Sequence, residues 1–530
     1  MSATGADSGR DRPDSGGPGP GRPARRGPSS SPRPPDVYWF DPTCDRSAGL
    51  GHAYTPVRQV RDMSADLEAL PLFVAAPGDA VVVRQRPAPG FLRRLRAAGF
   101  DLPEFDEMGR RGAPPPGLLR RPLGRLRPWG WSPAAAAWAA PLLERLPASA
   151  GQRPDAVWNE SVRTLYSKVW SVGFLGRLLP AALADHPEWA AGLCEAGDVG
   201  VVCETLDRVE AVARQIRGEG GGAEGTPCSR GRGVVVKAPF GASGQDQVRL
   251  RPPPAPLWSD GAQRRHVERL LREWGELVVE PYLEHLAELS LQLEIDAAGG
   301  ARIVGISRPL TDGRGQYCGA VLQPQDASLG ESVRELLWGA EGDMAGPVAG
   351  LEPGCLRPVA AALARHLGAE IAPTGYAGPA GVDMLVYSDD GRPRLKPVVE
   401  VNPRYTMGRV ALALAEHVAP GSAAAGRVAS ATAVTGRTAL WLALRASQIR
   451  AAGYESPLAL ARHLEERHPV RLTGAPASGS APTRPQGLIE AGAVCTNDPA
   501  KARAVLGVLA VLDGDVPVGD PANALQRLLA

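Results

Sequence analysis

Apolar and polar positions along the chain switch between a period near 3.6 and a period of two, and the alternation predicts an α/β protein. From Asp36, DVYWF reads as a strand, SADLEALPLFVAA as a helix followed by a turn, and GDAVVVRQ (78–85) as a buried strand. FLRRLRAAGF (91–100) has the apolar spacing of a short amphipathic helix. A proline- and arginine-rich link (110–128) follows. VWNESVRTLYSKVWSVGFLGRLLPAAL is largely helical, and GVVCETLDRVEAVARQIRG reads as a strand with a helix behind it. Strands and helices then alternate up to VVEVNPRYTMGR (398–409). The last hundred residues predict a helix over TALWLALRASQIRAAG and a linker in GAPASGSAPTRPQ (474–486). A strand and then a helix are expected over GLIEAGAVCTNDPAKARAVLGVL.

These elements group into domains. Residues 1–35 are Gly, Pro, Ser and Arg almost throughout and hold too little apolar surface to fold, so a disordered tail is expected. The GGPGPG within it (16–21) has no strand before it and no helix after it, which removes it as a nucleotide-binding loop. An N-terminal α/β domain with its linker spans 36–150, a second unit 155–425, and a C-terminal α/β extension 430–530.

Composition narrows the partners. A chain of 530 residues is long enough for roughly two to four domains. Its 59 basic and 57 acidic residues leave a net charge of +2, and the arginines form no stripe, which argues against a nucleic-acid partner. The seven cysteines are scattered and never form a CxxC pair, which disfavours a disulfide framework and a zinc site and fits a reducing cytoplasm. The N-terminus lacks the apolar run of a signal peptide. AAAAWAAPLL (134–143) is interrupted by Pro141 and far too short to span a bilayer. A cytoplasmic protein without membrane attachment is expected.

The chemistry concentrates near residue 400. In GVDMLVYSDDGRPRLKPVVEVN, two apolar runs flank the turn signal SDDG (388–391), which predicts an antiparallel hairpin with a somewhat long loop. Asp383 and Glu400 lie equally far from its centre, so they should face each other. Opposed carboxylates repel unless a cation lies between them. Asp383, Glu400 and Asn402 then form an all-oxygen set suited to Mg²⁺ or Mn²⁺, with surface carboxylates on a solvent-facing hairpin as the plain alternative. Upstream, RGVVVKAPFGASGQDQVRL (232–250) puts Lys237 at the end of an apolar strand and small residues after it. Backbone N–H groups there can turn toward an anion, although an ordinary hairpin turn fits as well. In ELVVEPYLEHLAELSLQLEID (276–296), Pro281 should break pairing after Glu280 and free backbone groups near Tyr282 and Leu283, with the next strand starting near Ser290.

Taken in order, these pieces resemble the ATP-grasp superfamily over roughly residues 155–425. Lys168 in LYSKVW comes first, then Lys237 with Gly241 to Gly244, the hinge-like Glu280 to Leu283, and Glu288. Asp383 with Glu400-x-Asn402-Pro403-Arg404 comes last. The resemblance implies a Rossmann-like N-terminal domain ahead of a two-subdomain ATP-grasp fold that is α+β in character. It implies that Lys168, Lys237, Gly241, Ser243 and Gly244 bind the phosphates of ATP. Glu280, Tyr282 and Leu283 would hold adenine, and Glu288 the ribose. Asp383, Glu400 and Asn402 would hold Mg²⁺ or Mn²⁺, and Arg404 would act on the transferring phosphoryl group or its acceptor. Many such ligases carry an arginine just before the metal aspartate, where this chain has Gly381 and Val382. Arg308 in SRPLTDGRGQYCGA is the candidate to replace that cation, a surface turn being the alternative. The implied reaction is ATP-dependent carboxylate–amine ligation of small molecules through an acyl phosphate. A phosphotransferase or a non-catalytic ATP-binding protein are the alternatives, and a homodimer is compatible with any of them. No carrier-lysine motif for biotin is visible.

Overall fold

The computed structural model describes residues 33–219, 231–241, 246–312, 315–322, 329–338, 354–419, 437–474, 487–514 and 521–529. The tail (1–32), the loop of 220–230 with its glycines and most of the 474–486 linker lie outside these residues.

Among the described residues three sheets form. The first is parallel, built from β1 (Val37–Trp39), β2 (Ala80–Val83), β3 (Glu104–Glu107) and β4 (Leu126–Pro128) in the order β3-β2-β1-β4. Val37, Val81 and Val83 are fully buried, as expected of strands covered on both faces. The helix Pro89–Ala97 follows the apolar spacing read at 91–100. The helix expected over SADLEALPLFVAA (64–76) is not formed as such: the helix runs earlier, over Arg58–Asp66, and of the expected stretch LPLF (70–73) makes only a single 3-10 turn. The arginine-rich link ends inside this sheet as β4.

The second sheet is small and antiparallel: β5 (Val201–Cys203), β6 (Val234–Lys237), β7 (Gln247–Leu250) and β8 (Leu277–Pro281), in the order β5-β8-β6-β7. It closes a core of its own around Val209, Val236, Leu270 and Val279. Pro281 ends β8 without freeing the next residue, because the Tyr282 N–H donates to the Gly233 carbonyl at 2.8 Å.

The third sheet has nine strands. They are β9 (Glu284–Ile295), β10 (Ala301–Thr311), β11 (Tyr317–Val321), β12 (Gly378–Asp389), β13 (Arg392–Asn402), β14 (Arg437–Arg445), β15 (Arg471–Leu472), β16 (Ile489–Cys495) and β17 (Val505–Asp513). Their order is β13-β12-β9-β10-β11-β14-β17-β16-β15. β9 starts at Glu284, six residues before the expected point, because its N-terminal half pairs with β12 through Glu284↔Ser388 and His285↔Tyr387. One core runs from the parallel sheet (Val37, Val81) through Leu291 and Val382 to Trp441.

The C-terminal hundred residues depart most from expectation. TALWLALR is strand β14, with only the short helix Ala446–Ala451 behind it, and AVLGVLAVLD is strand β17 rather than a helix. Both strands are covered on both faces, and such a strand has no alternation to distinguish it from a buried helix. The boundary placed near 430 does not interrupt the sheet, since β14 pairs with β11 through Gly319↔Leu442. The hairpin loop at 388–391 is also shorter than expected. Asp389 pairs with Arg392, leaving only Asp390 and Gly391 to turn, both at positive φ (50° and 80°). That is the backbone an Asp-Gly hairpin turn requires.

The β11–β14 junction is tight. A Cβ on Gly319 would come within 2.2 Å of the Trp441 carbonyl oxygen. Gly319→Ala is therefore expected to cost about 1–3 kcal/mol by overpacking, read as a lower midpoint in chemical denaturation. An unchanged midpoint would mean that the two halves of the sheet are not coupled at this position.

Candidate active site

A cavity of about 310 Å³ lies between the small sheet and the nine-stranded sheet. Lys237, Glu280, Tyr282, Leu283, Glu288, Asp383, Glu400, Asn402 and Arg404 all line it. Nine side chains singled out along the sequence are thus gathered in one place.

Pairing geometry does the gathering. β12 and β13 place Asp383 directly opposite Glu400, while Leu385 pairs with Lys396. Met384 therefore faces three residues, a bulge that contains Pro397. Proline has no N–H to give the ladder, so a bulge is where a strand tolerates it. The shift moves the pairing centre from the turn to the point midway between the two carboxylates. On the other side β12 pairs with β9, setting Asp383 against Ser290.

A hydrogen-bonded chain holds the carboxylate of Asp383. The Ser290 hydroxyl donates to its Oδ1 at 2.8 Å and the Asn402 amide to its Oδ2 at 3.0 Å. Gln292 donates to Ser290 at 2.9 Å and accepts from Thr406 at 2.8 Å. Burial, and then the facing Glu400, push the Asp383 carboxyl up to about 6. Both causes act against its charged form, as expected of a paired-carboxylate site without a cation. Gly381, two residues before it, has no room for a side chain: a Cβ there would meet Thr406 Cγ2 at 2.6 Å.

Glu400 is answered by Lys168, whose ammonium donates to its Oε1 at 2.8 Å and to the Gly241 carbonyl at 2.7 Å. Lys168 opens the helix Lys168–Asp185, which is capped by the Ser167 side chain, so its stem is anchored at a helix start. It thereby ties the glycine loop after β6 to the carboxylate pair. Gly241 is the last described residue before that loop, and Ser243 and Gly244 lie outside the described residues.

A second ion cluster closes the other end. Glu280 is 6% exposed, and its carboxylate is paired with the Lys237 ammonium on one oxygen and with that of Lys396 at 2.9 Å on the other. Burial raises its pKa, but the two lysines outweigh burial and hold it at about 2. Beside this cluster Leu283 is buried, and Tyr282 is partly exposed, stacked on His285 with the Arg249 guanidinium over its ring. Glu288 lies 3.3 Å from the His285 ring nitrogen.

Arg404 lies two residues beyond Asn402, the last residue of β13. Its Nε donates to Asp45 at 2.6 Å, its Nη1 to the Tyr405 backbone carbonyl at 3.1 Å and its Nη2 to the Asn402 side-chain Oδ1 at 2.8 Å. A guanidinium has five N–H groups in a fixed fork. Three are committed, and one on each terminal nitrogen is left. Burial opposes the charge of Arg404, and Asp45 foremost restores it.

Arg308 is not brought to the cavity. It is buried on β10 between Ser307 and Pro309, which do line the cavity, and alternate residues of a strand point to opposite faces. Sequence reasoning missed Lys396, although it lies on the same strand as Glu400. It also missed Asp45, which is 359 positions from Arg404 and marked by no local pattern. Among the described residues no group of three or more His, Cys, Asp or Glu could hold a metal, so the cation site to be tested is two carboxylates and an amide. No described helix is long and apolar enough to cross a membrane.

No protein-family model matches the chain, and no curated protein matches it. Among solved structures it is similar to an N5-carboxyaminoimidazole ribonucleotide synthetase in its ADP complex, at 10% identity and a TM-score of 0.41, over 93% of this chain and 96% of that one. The biotin carboxylase domain of the Hydrogenobacter thermophilus 2-oxoglutarate carboxylase, with MgADP and bicarbonate, is similar at 11% identity and a TM-score of 0.37, over 90% and 86%. D-cycloserine synthetase is similar at 18% identity and a TM-score of 0.30, over 62% and 93%. The likeness is loose, so the roles of the residues rest on the geometry of this chain's own cavity.

Glu280 offers a test of that geometry. Glu280→Gln leaves Lys396, itself only 2% exposed, without a carboxylate, and breaking such a buried pair costs about 3–5 kcal/mol. The contribution of a depressed carboxylate is present above its unfolded pKa of about 4.3 and is lost as pH falls through its folded value, here about 2. Denaturation curves of wild type and variant should therefore differ at pH 7 and converge toward pH 2. A constant difference across that range would dissociate the cost from the ion pairs.

Proposed function

We propose that the protein is an ATP- and Mg²⁺-dependent ligase that joins a carboxylate to an amine. The observation that carries this reading is Asp383 set opposite Glu400 on one wall of a cavity that Arg404 also lines, with two of its five N–H groups uncommitted. The reading rests on cation chemistry that the donor set fits: hard oxygen ligands, one of them an amide, and a carboxyl whose ionisation burial and a like charge oppose.

The nucleotide would lie along the cavity, with its base against Leu283 and the backbone near Tyr282, and its ribose hydroxyls on Glu288. Its phosphates would meet Lys237, Lys168 and the glycine loop. Asp383, Glu400 and Asn402 would hold the divalent cation. When bound, that ion draws charge from the β- and γ-phosphoryl oxygens. In the structure the lysines are paired, Lys168 with Glu400 and Lys237 with Glu280. Binding of the nucleotide and its cation would exchange these internal pairs for external ones, each lysine turning to a phosphate.

The reaction then balances without a side-chain nucleophile. An oxygen of the acceptor carboxylate attacks the γ-phosphorus, the bond from phosphorus to the ADP oxygen breaks, and an acyl phosphate forms. The amine attacks the acyl carbon, inorganic phosphate leaves with the bonding pair, and the amine nitrogen loses a proton. Arg404 would hold either the transferring group or the acceptor carboxylate through the N–H left on each terminal nitrogen, in charge-assisted hydrogen bonds. The protein contributes position and charge neutralisation.

Calorimetric titration with a non-hydrolysable ATP analogue tests the reading directly. Binding that appears only with Mg²⁺ and is strongly weakened in Glu400→Gln is expected, and binding indifferent to both would remove the metal site. The pH dependence has a defined sign. Asp383 must shed its proton to bind a cation, and its carboxyl sits at about 6. Magnesium-dependent affinity should therefore fall about tenfold between pH 7 and pH 5, whereas a flat profile would separate Asp383 from the cation.

A further inference from the structure

Arg404 lines the cavity that holds Asp383 and Glu400, yet its own contacts run to the residues around the parallel sheet. β13 ends at Asn402, so the ladder that fixes Asp383 and Glu400 no longer fixes Arg404. Beyond that point the backbone is held by the N-terminal unit: Gly130 forms a bridge with Arg404, and the Tyr405 N–H donates to the Trp129 carbonyl at 2.7 Å. A side chain at Gly130 would stand 2.9 Å from the Arg404 Cβ and 2.7 Å from Cys44 Sγ, so the approach is as close as a glycine allows. The side chain is then fixed at its Nε by Asp45, in the first turn of the helix Cys44–Leu50 that follows β1. Both partners are largely enclosed, with 16% and 13% of their side chains exposed. Nε lies at the base of the fork, so a carboxylate there sets the plane and rotation of the whole guanidinium. Asn402 and the Tyr405 carbonyl each take one further N–H.

We propose that Asp45 is a positioning residue for phosphoryl transfer: by holding Nε it aims the remaining N–H of each terminal nitrogen of Arg404 at the cavity, so that the N-terminal unit completes the transfer site. This rests on the ligase reading given above. It assigns the acceptor end of the cavity to the seam between the parallel sheet and the nine-stranded sheet, and it makes the fork a receptor for a planar oxyanion rather than a general positive charge. A misaimed guanidinium keeps its charge and loses the bidentate fit, so ground-state nucleotide binding and capture of the transferring group should respond differently.

The test uses the full chain and two probes, a non-hydrolysable Mg·ATP analogue and Mg·ADP with aluminium fluoride, which mimics the planar transferring phosphoryl group. In wild type the fluoride complex should bind more tightly than Mg·ADP alone. Asp45→Ala should keep its affinity for the ATP analogue within about twofold while losing about tenfold or more of the enhancement by aluminium fluoride. Asp45→Asn, which keeps an acceptor oxygen for Nε, should recover most of that loss, and it carries the test if the alanine variant does not fold. Adding Asp45→Ala to Arg404→Ala should change nothing further if Asp45 acts through Arg404. An enhancement retained in Asp45→Ala, or an equal loss for both probes that Asp45→Asn does not restore, overturns the proposal. Failure of wild type to bind either nucleotide instead overturns the ligase reading itself, and the positioning role with it.

Discussion

Two carboxylates facing each other across an antiparallel pair repel, and the β12–β13 hairpin nevertheless holds Asp383 opposite Glu400. Much of the surrounding structure offsets this one juxtaposition. Ser290 and Asn402 hydrogen-bond Asp383 from the two neighbouring strands, and Lys168 reaches Glu400 from a helix start. The Pro397 bulge puts the two carboxylates in register, which the tight Asp-Gly turn alone would not do. A protein selected for stability alone would have little reason to keep this pair. Its presence on a cavity wall is the physical basis for reading the cavity as a site for a cation and a polyphosphate.

The same logic extends to the second ion cluster. Glu280 between Lys237 and Lys396 is neutralised twice over, and a carboxylate held at about 2 stays charged across the physiological range. Both clusters join the two sheets: Lys237 and Glu280 come from the small sheet, Lys396 and Glu400 from the large one, and Lys168 links Glu400 to the loop after β6. Ligand binding that redistributes these pairs would therefore act on the contact between two units whose cores are separate.

How much of this was legible in the sequence depends on the range of the interaction. The hairpin was legible from its Asp-Gly turn, but counting out from that turn would set Asp383 against Val398; the carboxylates face each other only through the Pro397 bulge, which was hidden. Lys237, Glu280 and Leu283 were legible as a strand end and a proline-marked hinge. β14 and β17 were misread as helical because a strand buried on both faces shows no period. Arg308 was drawn in by its neighbours' glycines, whereas the pleat of β10 turns Ser307 and Pro309 to the cavity. Asp45 carried no signal at all. Its partner lies 359 positions away, and only the folded chain brings a first-turn aspartate to an arginine beyond the end of β13.

The most direct measurement is a crystal structure of the full chain grown with Mg·ADP. The site described here predicts the diphosphate between Lys168 and Lys237, a magnesium ion on Asp383, Glu400 and Asn402, and the Lys168–Glu400 and Lys237–Glu280 pairs opened. Nucleotide bound elsewhere, or a cavity left empty with both ion pairs intact, would contradict it.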